Sequence, residues 1–340
     1  MMKKITMQDI ADQLNISKNS VSQALTGKSG VSEETRRMVI EKANELGYKY
    51  KGQPQSSLQP IQSEPKTIAL IASEFAFSQT AFFGQIYLSV EKLIKQEGFR
   101  LLIQSITSDA RDSLELPDFI ENKSVNGIII LSHISTDYIK KVLDTDIPTI
   151  LIDHHDPTLD VDAILTNNRF GAFKAIKHLI DLGHKNIGFM GDIDFSPSYQ
   201  ERMEGYLLAL REYDCPIRDE WMITDLEESD ESVWNALDSI EEQPTAWFCV
   251  NDGLGFYTLT TLQRKGYRVP TDISICNFDN GKLSNIVSPK ITTMGIDLTY
   301  YGEKAIEQLL WRIKNPDQRT QEVLIPATLL VKESTAEVKK

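Results

Sequence analysis

Cysteine is scarce in this sequence, with three residues, Cys215, Cys249 and Cys276, among 340. No pair of them has a zinc or redox spacing and each has apolar neighbours, which predicts buried filler rather than a disulfide or metal site. Long apolar runs are also missing. Nothing approaches the roughly eighteen residues that cross a bilayer, and the N-terminus has no apolar signal core. The expectation is a chain that is neither exported nor membrane-spanning and that works in the cytoplasm. Positive charge is in deficit, 36 Lys and Arg against 49 Asp and Glu, a net charge of −13. A uniformly acidic surface repels nucleic acid. No nucleophile elbow, phosphate-cradling loop or paired carboxylate is visible, so neither an enzyme nor a cofactor is expected.

What is present is unevenly distributed. Residues 1–60 hold nine Lys and Arg against six Asp and Glu, a balance of +3, and the remainder hold 27 against 43, or −16. The basic part reads as three short helices. Thr6 precedes the amphipathic set Met7, Ile10, Ala11 and Leu14, with Asp9 in the first turn. Ser17 is placed to cap a second helix with Val21, Ala24 and Leu25 on its inner face, and Ser32 a third with Val39, Ile40, Ala43 and Leu46; Gly27 and Gly47 close them. Three such helices with a tight turn between the first two predict a helix-turn-helix. The outward face of the second helix carries Ser17, Lys18, Asn19, Ser20, Ser22 and Gln23, hydrogen-bonding groups without a carboxylate. That face suits a major groove, in which Asn and Gln pair with adenine and Lys donates to guanine; polarity alone also fits an ordinary solvated face.

The stretches Thr6-Met7-Gln8-Asp9-Ile10-Ala11, Ile16 to Leu25, Val31-Ser32-Glu33-Glu34-Thr35-Arg36-Arg37 and Leu46-Gly47-Tyr48 resemble the N-terminus of the lactose/galactose repressor (LacI/GalR) family. The resemblance implies that Lys18, Asn19 and Gln23 read bases while Ser17, Ser20 and Ser22 contact the backbone. Most members carry Arg at the place of Gln23, so an adenine contact replaces the usual guanine contact here. Residues 51–66 form a linker with Pro54, Pro60 and Pro65 and little apolar content. In the family this stretch includes a hinge helix that inserts a leucine into the minor groove. Leu58 is the candidate wedge. Gly52 and Pro54 at the expected helix start leave a plain tether as the alternative.

From Thr67 onward, apolar runs alternate with amphipathic helices, the rhythm of βαβ units, and the rhythm restarts after Asn168. This pattern implies two open parallel sheets, and ligands of such folds sit beyond the carboxyl ends of the strands. Leu182-Gly183-His184-Lys185-Asn186-Ile187, Arg202-Met203-Glu204-Gly205-Tyr206, Asn251-Asp252, Gly266 to Ser274, Asn277-Phe278-Asp279 and Thr292-Thr293-Met294 are similar, in this order, to the same family. The implied fold is α/β, an all-α helix-turn-helix head (1–50) and a two-lobed, periplasmic-binding-protein-like core (67–335) of two parallel doubly wound sheets. Lobe one is expected over about 67–166 and 295–324, and lobe two over about 167–292 and 325–335. Crossovers are expected near Thr166-Asn167, Thr293-Met294 and Ile325.

Candidates for the cleft lie past strand ends or at helix starts: Ser73, Glu74, Asp153, Arg202, Asn251 and Asp279. Carboxylates accept from hydroxyls, Arg donates a planar fork and Asn does both, a set suited to a small polyhydroxylated or anionic ligand; a capping or interlobe role is the alternative for each. By resemblance, Asp153, Arg202, Asn251 and Asp279 contact the effector, and the Phe82-Phe83 pair faces the cleft mouth, with Phe83 as an apolar wall or as lobe packing. Glu228 stands where an aromatic platform is usual. Trp221 or Trp234 are substitutes, although Trp234, at helical spacing with Leu237, reads as core. His154 and His155 come directly after Asp153, but neighbours on an extended segment point apart, which predicts a loop and no metal site. The expected protein is an effector-controlled repressor. It binds a near-palindromic operator as a homodimer, because one helix-turn-helix covers a half-site, and the Ala336–Lys339 tail lacks tetramerising heptads. An enzyme with a DNA-binding head would need a catalytic constellation, and a solute-binding module a signal peptide.

Overall fold

Thr6 opens the first helix with a capping box: its hydroxyl accepts from Asp9 N (3.4 Å) and the Asp9 carboxylate accepts from Thr6 N (2.7 Å). The computed structural model describes residues 5–26, 28, 30–46, 48, 66–78 and 82–338. Leu58 and the rest of 51–65, with Gly27 and Gly47, lie outside the described residues. The chain divides into two compact units, residues 1–64 and 65–340.

The first unit holds α1 (Met7–Leu14), α2 (Lys18–Thr26) and α3 (Glu33–Glu45). Asn15 takes a left-handed turn (φ 52°) that stops α1. Ser17 caps α2 through Ser20 N (3.0 Å), and Ser32 caps α3 through Thr35 N (3.1 Å). Ile10, Ala11, Val21, Ala24, Leu25, Val39 and Ala43 form the core on which the three helices close.

The second unit runs β1 (Thr67–Ser73), α4 (Glu74–Ser78), α5 (Phe83–Gln96), β2 (Arg100–Ile106), α6 (Ser108–Ser113), α7 (Asp118–Glu121), β3 (Gly127–Leu131), α8 (Thr136–Leu143), β4 (Thr149–Ile152) and β5 (Asp162–Thr166). It continues through α9 (Asn168–Asp181), β6 (Ile187–Met190), α10 (Pro197–Glu212), β7 (Met222–Ile223), α11 (Asp230–Asp238), β8 (Ala246–Cys249), α12 (Asp252–Arg264), β9 (Ser274–Asp279), α13 (Leu283–Ile286) and β10 (Thr292–Gly295). The last elements are α14 (Leu298–Lys314), β11 (Glu322–Ile325) and β12 (Thr328–Leu330). Two six-stranded sheets result, ordered β11-β5-β4-β3-β1-β2 and β12-β10-β9-β8-β6-β7.

Both faces of the central strands are covered, so β3, β4 and β6 are apolar and buried throughout rather than alternating, while edge strands such as β2 stay largely exposed. On β1, Ile68, Leu70 and Ala72 pack to one side with α5 and α14, while Ala69 and Ile71 pack to the other with α8. The first sheet is wholly parallel. In the second, β12 runs antiparallel to β10, a departure from the all-parallel expectation. Only Pro326 and Ala327 separate β11 from β12, and no crossover helix brings the strand round. The chain passes between the lobes after Thr166, after Gly295 and after Ile325. The second passage comes later than the Thr293-Met294 expected, because both residues pair with β9 and β12 inside the second sheet.

Gly205 sets the spacing of α9 and α10. A Cβ there would run into the carbonyl oxygen of Arg169 and press on Ala172. Gly205→Ala is therefore expected to lower the unfolding free energy by about 1–3 kcal/mol through helix displacement. An unchanged urea midpoint would show that the helices can separate freely.

Candidate functional site

In the first unit α2 presents Lys18 and Asn19 as exposed side chains, with Ser20, Ser22 and Gln23 partly covered. The hydroxyls of Ser17 and Ser20 bond each other (2.9 Å) as part of the cap, so they are less free than the sequence suggests. Gln23 lies beside Gly30, where a Cβ would meet its amide oxygen at 2.8 Å. Arg36 of α3 holds the far end of α2, donating to the carbonyls of Ala24 (3.1 Å) and Lys28 (2.9 Å), bonds that satisfy carbonyls orphaned at a helix end. Sequence reading placed Arg36 in a motif without giving it this clamping role.

The second unit has a cavity of about 1060 Å³ between its lobes, lined by Ser73, Glu74, Phe83, Asp153, Arg202, Asn251 and Asp279 among others. Both lobes build it in the same way, from residues at the carboxyl ends of buried parallel strands. Asp153 comes directly after β4 and Asp279 ends β9, each in a left-handed conformation (φ 57° and 86°) that non-glycine residues seldom adopt. Ser73 caps α4 (Ala76 N to Oγ, 3.3 Å), and Asn251 caps α12 through Leu254 N (2.9 Å). The amide of Asn251 also donates to Tyr199 Oη (2.7 Å) and Glu228 Oε2 (2.6 Å).

Arg202 is the fixed centre, 3% exposed on α10. It donates through Nε to Asn168 Oδ1 (2.9 Å) and through Nη1 to Val250 O (2.6 Å), and it pairs through Nη2 with Asp279 Oδ1 (3.1 Å). Its guanidinium lies 3.9 Å from the Phe278 ring centroid. Nε and Nη1 thus each donate one hydrogen bond to protein, while Nη2 faces Asp279 Oδ1 as an ion pair, and the other N–H groups are not hydrogen-bonded to protein. Asp153 is held less firmly, through a side-chain hydrogen bond with Ser198. Its Oδ1 is buried without a hydrogen-bond partner, and burial pushes its pKa up to about 7 against the opposing pull of Arg202. Burial likewise raises the Asp279 carboxyl, and desolvation raises that of Glu228, whose carboxylate lies against Gly253 although the residue as a whole is exposed.

The aromatic surface comes from unexpected places. Phe75 of lobe one meets Phe195 of lobe two edge to face at 5.1 Å across the cavity, and Phe195 stacks on Tyr199 at 5.8 Å. Sequence reading missed all three, although Tyr199 stands one helical turn before Arg202 on α10. Neither tryptophan takes this role. Trp221 is buried with Nε1 bonded to Glu242 O (2.9 Å). Trp234 is not in the core either. It lies half-buried beneath Arg264 and Lys265, 5.0 and 4.3 Å from its centroid, because the stems of those side chains cover it where core was expected.

His154 is buried edge-on to His133 at 4.7 Å, its pKa pushed down to about 4 by burial, and His155 turns to Glu201 (3.6 Å). Among the described residues no group of three or more His, Cys, Asp or Glu is arranged to hold a metal, and no helix is long and apolar enough to cross a membrane.

Comparison with known proteins agrees with this division. Residues 6–50 match the model of bacterial regulatory proteins of the lacI family, and residues 176–335 that of a periplasmic binding protein-like domain. The HTH-type transcriptional repressor PurR of Actinobacillus pleuropneumoniae is 31% identical over 313 residues, 91% of each chain. The ribose operon repressor of Haemophilus influenzae is 29% identical over 338 residues, covering 98% of this chain and 99% of that one. A LacI family regulator from Enterococcus faecium, solved with bound ribose, superposes with TM-score 0.68 at 26% identity over 81% of this chain and 100% of its own. Helix-turn-helix head and two-lobed core, in that order along one chain, are those of the LacI family, to which this chain belongs as a DNA-binding, effector-responsive transcriptional repressor rather than an enzyme.

Proposed function

We propose that the chain works in the cytoplasm as a homodimeric repressor of small-metabolite genes, that α2 reads each half of a near-palindromic operator, and that the interlobe cavity binds the effector. The functional parts are the head (1–50), the linker (51–66) and the core (67–335). The observation that carries the effector reading is Arg202, a buried cation held by both strand-end and helical partners at the wall of a large cavity, with N–H groups not hydrogen-bonded to protein. Ser73, Glu74, Phe83, Asp153, Asn251 and Asp279 complete the site, which suits a sugar or similar polar metabolite. Ribose in the Enterococcus faecium relative supports that size. Ligand that prefers one lobe arrangement shifts the population of DNA-competent dimers.

Dimerisation is supported by an apolar margin on lobe one, where edge strand β2 exposes Leu102 (39%) and Ile103 (44%) and the neighbouring α5 exposes Leu88 (60%). A thermal-shift screen of sugars, sugar phosphates and nucleosides tests the effector site, since a specific ligand at a hundredfold excess over its Kd stabilises the core by about 2.7 kcal/mol. A broad panel without any shift would remove the effector reading.

On DNA, Lys18, Asn19 and Gln23 are assigned to bases, Ser17, Ser20 and Ser22 to phosphates, and Leu58 to the minor groove. Gln23→Ala is expected to relax discrimination at one position of each half-site by about 1–3 kcal/mol, leaving the salt slope unchanged. Selection from a randomised operator library reads this directly. Identical selected sequences for both proteins would take Gln23 out of the reading set.

A further inference from the structure

The cavity is short of positive charge. Asp279 adds to the upward push of burial on the carboxyls of Asp153 and Glu228, and Asp252 adds to that on Glu228 and Asp279; Arg202 pulls against it at Asp153 and Asp279, and Lys332 lies near Asp252. Arg202 pairs with Asp279 and pulls on Asp153, and Asp252 is held by the backbone of Leu283 and Ser284, which leaves Glu228, bonded to the neutral amide of Asn251, without a cation. At the mouth, Glu74, Asp225 and Glu227 line the opening without an ion-pair partner among the described residues. The cations there are Lys282 and Arg111, the latter paired with Asp112 at 2.8 Å. A second observation is independent of charge counting. Asp153 Oδ1 and Asp279 Oδ1 are both buried without a hydrogen-bond partner on residues that line the cavity, so donors are missing at those points. Phe75 and Phe195, which line the same cavity, keep 45% and 48% of their surface exposed, rings of the kind that attract cations.

Resting on the effector-site reading, we propose that the effector is a hydroxyl-bearing molecule with a protonated amine, the ammonium held among Asp153, Glu228 and Asp279, and that phosphorylated and carboxylated compounds are rejected. An ammonium supplies three donors and one positive charge, which answers both the partnerless oxygens and the repulsion between lobes. The N–H groups of Arg202 not hydrogen-bonded to protein remain for hydroxyls. Binding also has a defined pH dependence. Asp153 faces Arg202, Asp279, Glu201, Ser198 and Tyr301, and burial among them keeps its carboxyl protonated up to about pH 7 in the free protein. An ammonium favours the carboxylate, so amine affinity rises with pH through that region as binding displaces the proton, whereas the affinity of a neutral sugar does not.

The test is calorimetry and thermal shift on the full chain with matched sets: a hexose, its 2-amino-2-deoxy form, the N-acetylated form and the 6-phosphate, repeated for pentose, disaccharide and nucleoside skeletons. In the skeleton that fits, the amine is expected to bind at least tenfold tighter than its hydroxyl twin, about 1.4 kcal/mol. The preference shrinks at high salt and in Asp153→Asn, with Glu228→Gln as the second variant should the first fail to fold. A neutral or phosphorylated twin that binds as well as the amine overturns the inference and leaves the effector site standing. No shift in any set overturns both.

Discussion

Arg202→Ala lowers effector affinity by about a hundredfold, the loss of one charge-assisted hydrogen bond of about 2–3 kcal/mol, and abolishes the ligand's effect on operator binding. The reasoning starts from the rigidity of the group. Asn168, Val250 O, Asp279 and the Phe278 ring fix the guanidinium on four sides, so its free N–H groups are oriented before a ligand arrives. Arg202→Lys restores little, since an ammonium cannot reproduce a planar fork braced on three acceptors. Because the substitution leaves Asp279 buried without its cation, it is made also with Asp279→Asn, and the fold is checked by circular dichroism. Operator affinity without ligand stays at the wild-type value, measured by fluorescence anisotropy on the selected operator. A wild-type response to effector in Arg202→Ala would move the binding site elsewhere in the chain.

The second large effect lies far from the cavity. Asp162, fully buried at the start of β5, receives two N–H groups of Arg312, at 2.6 and 2.9 Å, and the backbone N of Gln321 at 2.8 Å. Arg312 in turn ties down the carbonyls of Asn315, Pro316, Gln318 and Arg319, the turn that delivers the chain from α14 to β11. Arg312→Met leaves a carboxylate stranded in apolar surroundings, and breaking a buried pair in this way costs about 3–5 kcal/mol. For a unit of this size the melting temperature falls by roughly 10 °C. Adding Asp162→Asn to Arg312→Met recovers part of the loss, because the stranded charge is then gone. Equal melting temperatures for wild type and Arg312→Met would show that solvent reaches Asp162 and that the pair contributes little.

The parts of the site legible in sequence were those that local pattern places. Asp153, Asn251 and Asp279 stand directly after apolar runs that read as buried strands, and a parallel sheet puts the ends of such strands at its ligand edge. The aromatic surface was invisible for the opposite reason. Phe75, in the short helix α4, and Phe195, in a turn, belong to different lobes, and neither carries a signal until the second ring is beside it. Trp234 shows a limit of periodicity, which finds the inner face of a helix from Leu237 but does not tell whether the flank beside it meets core or the stems of Arg264 and Lys265. The two parallel sheets were readable, whereas the antiparallel β12 was not, since its direction depends on a two-residue passage between lobes rather than on its own composition.

That passage has a counterpart in synthesis. Lobe one borrows α14 and β11 from the end of the chain, and β5 is an edge strand until β11 pairs with it. A ribosome that has translated through β10 has therefore delivered nearly all of lobe two and a lobe one still lacking its covering helix. Residues Ser334 to Val338 then return to lobe two, where Ser334 bonds Ile275 O (2.6 Å) and Val338 bonds Leu182 O (2.9 Å). Neither lobe can be cut out as one continuous stretch of polypeptide, so gene truncations that spare one lobe damage the other. Both sheets lack an edge strand until β11 and β12 have been made.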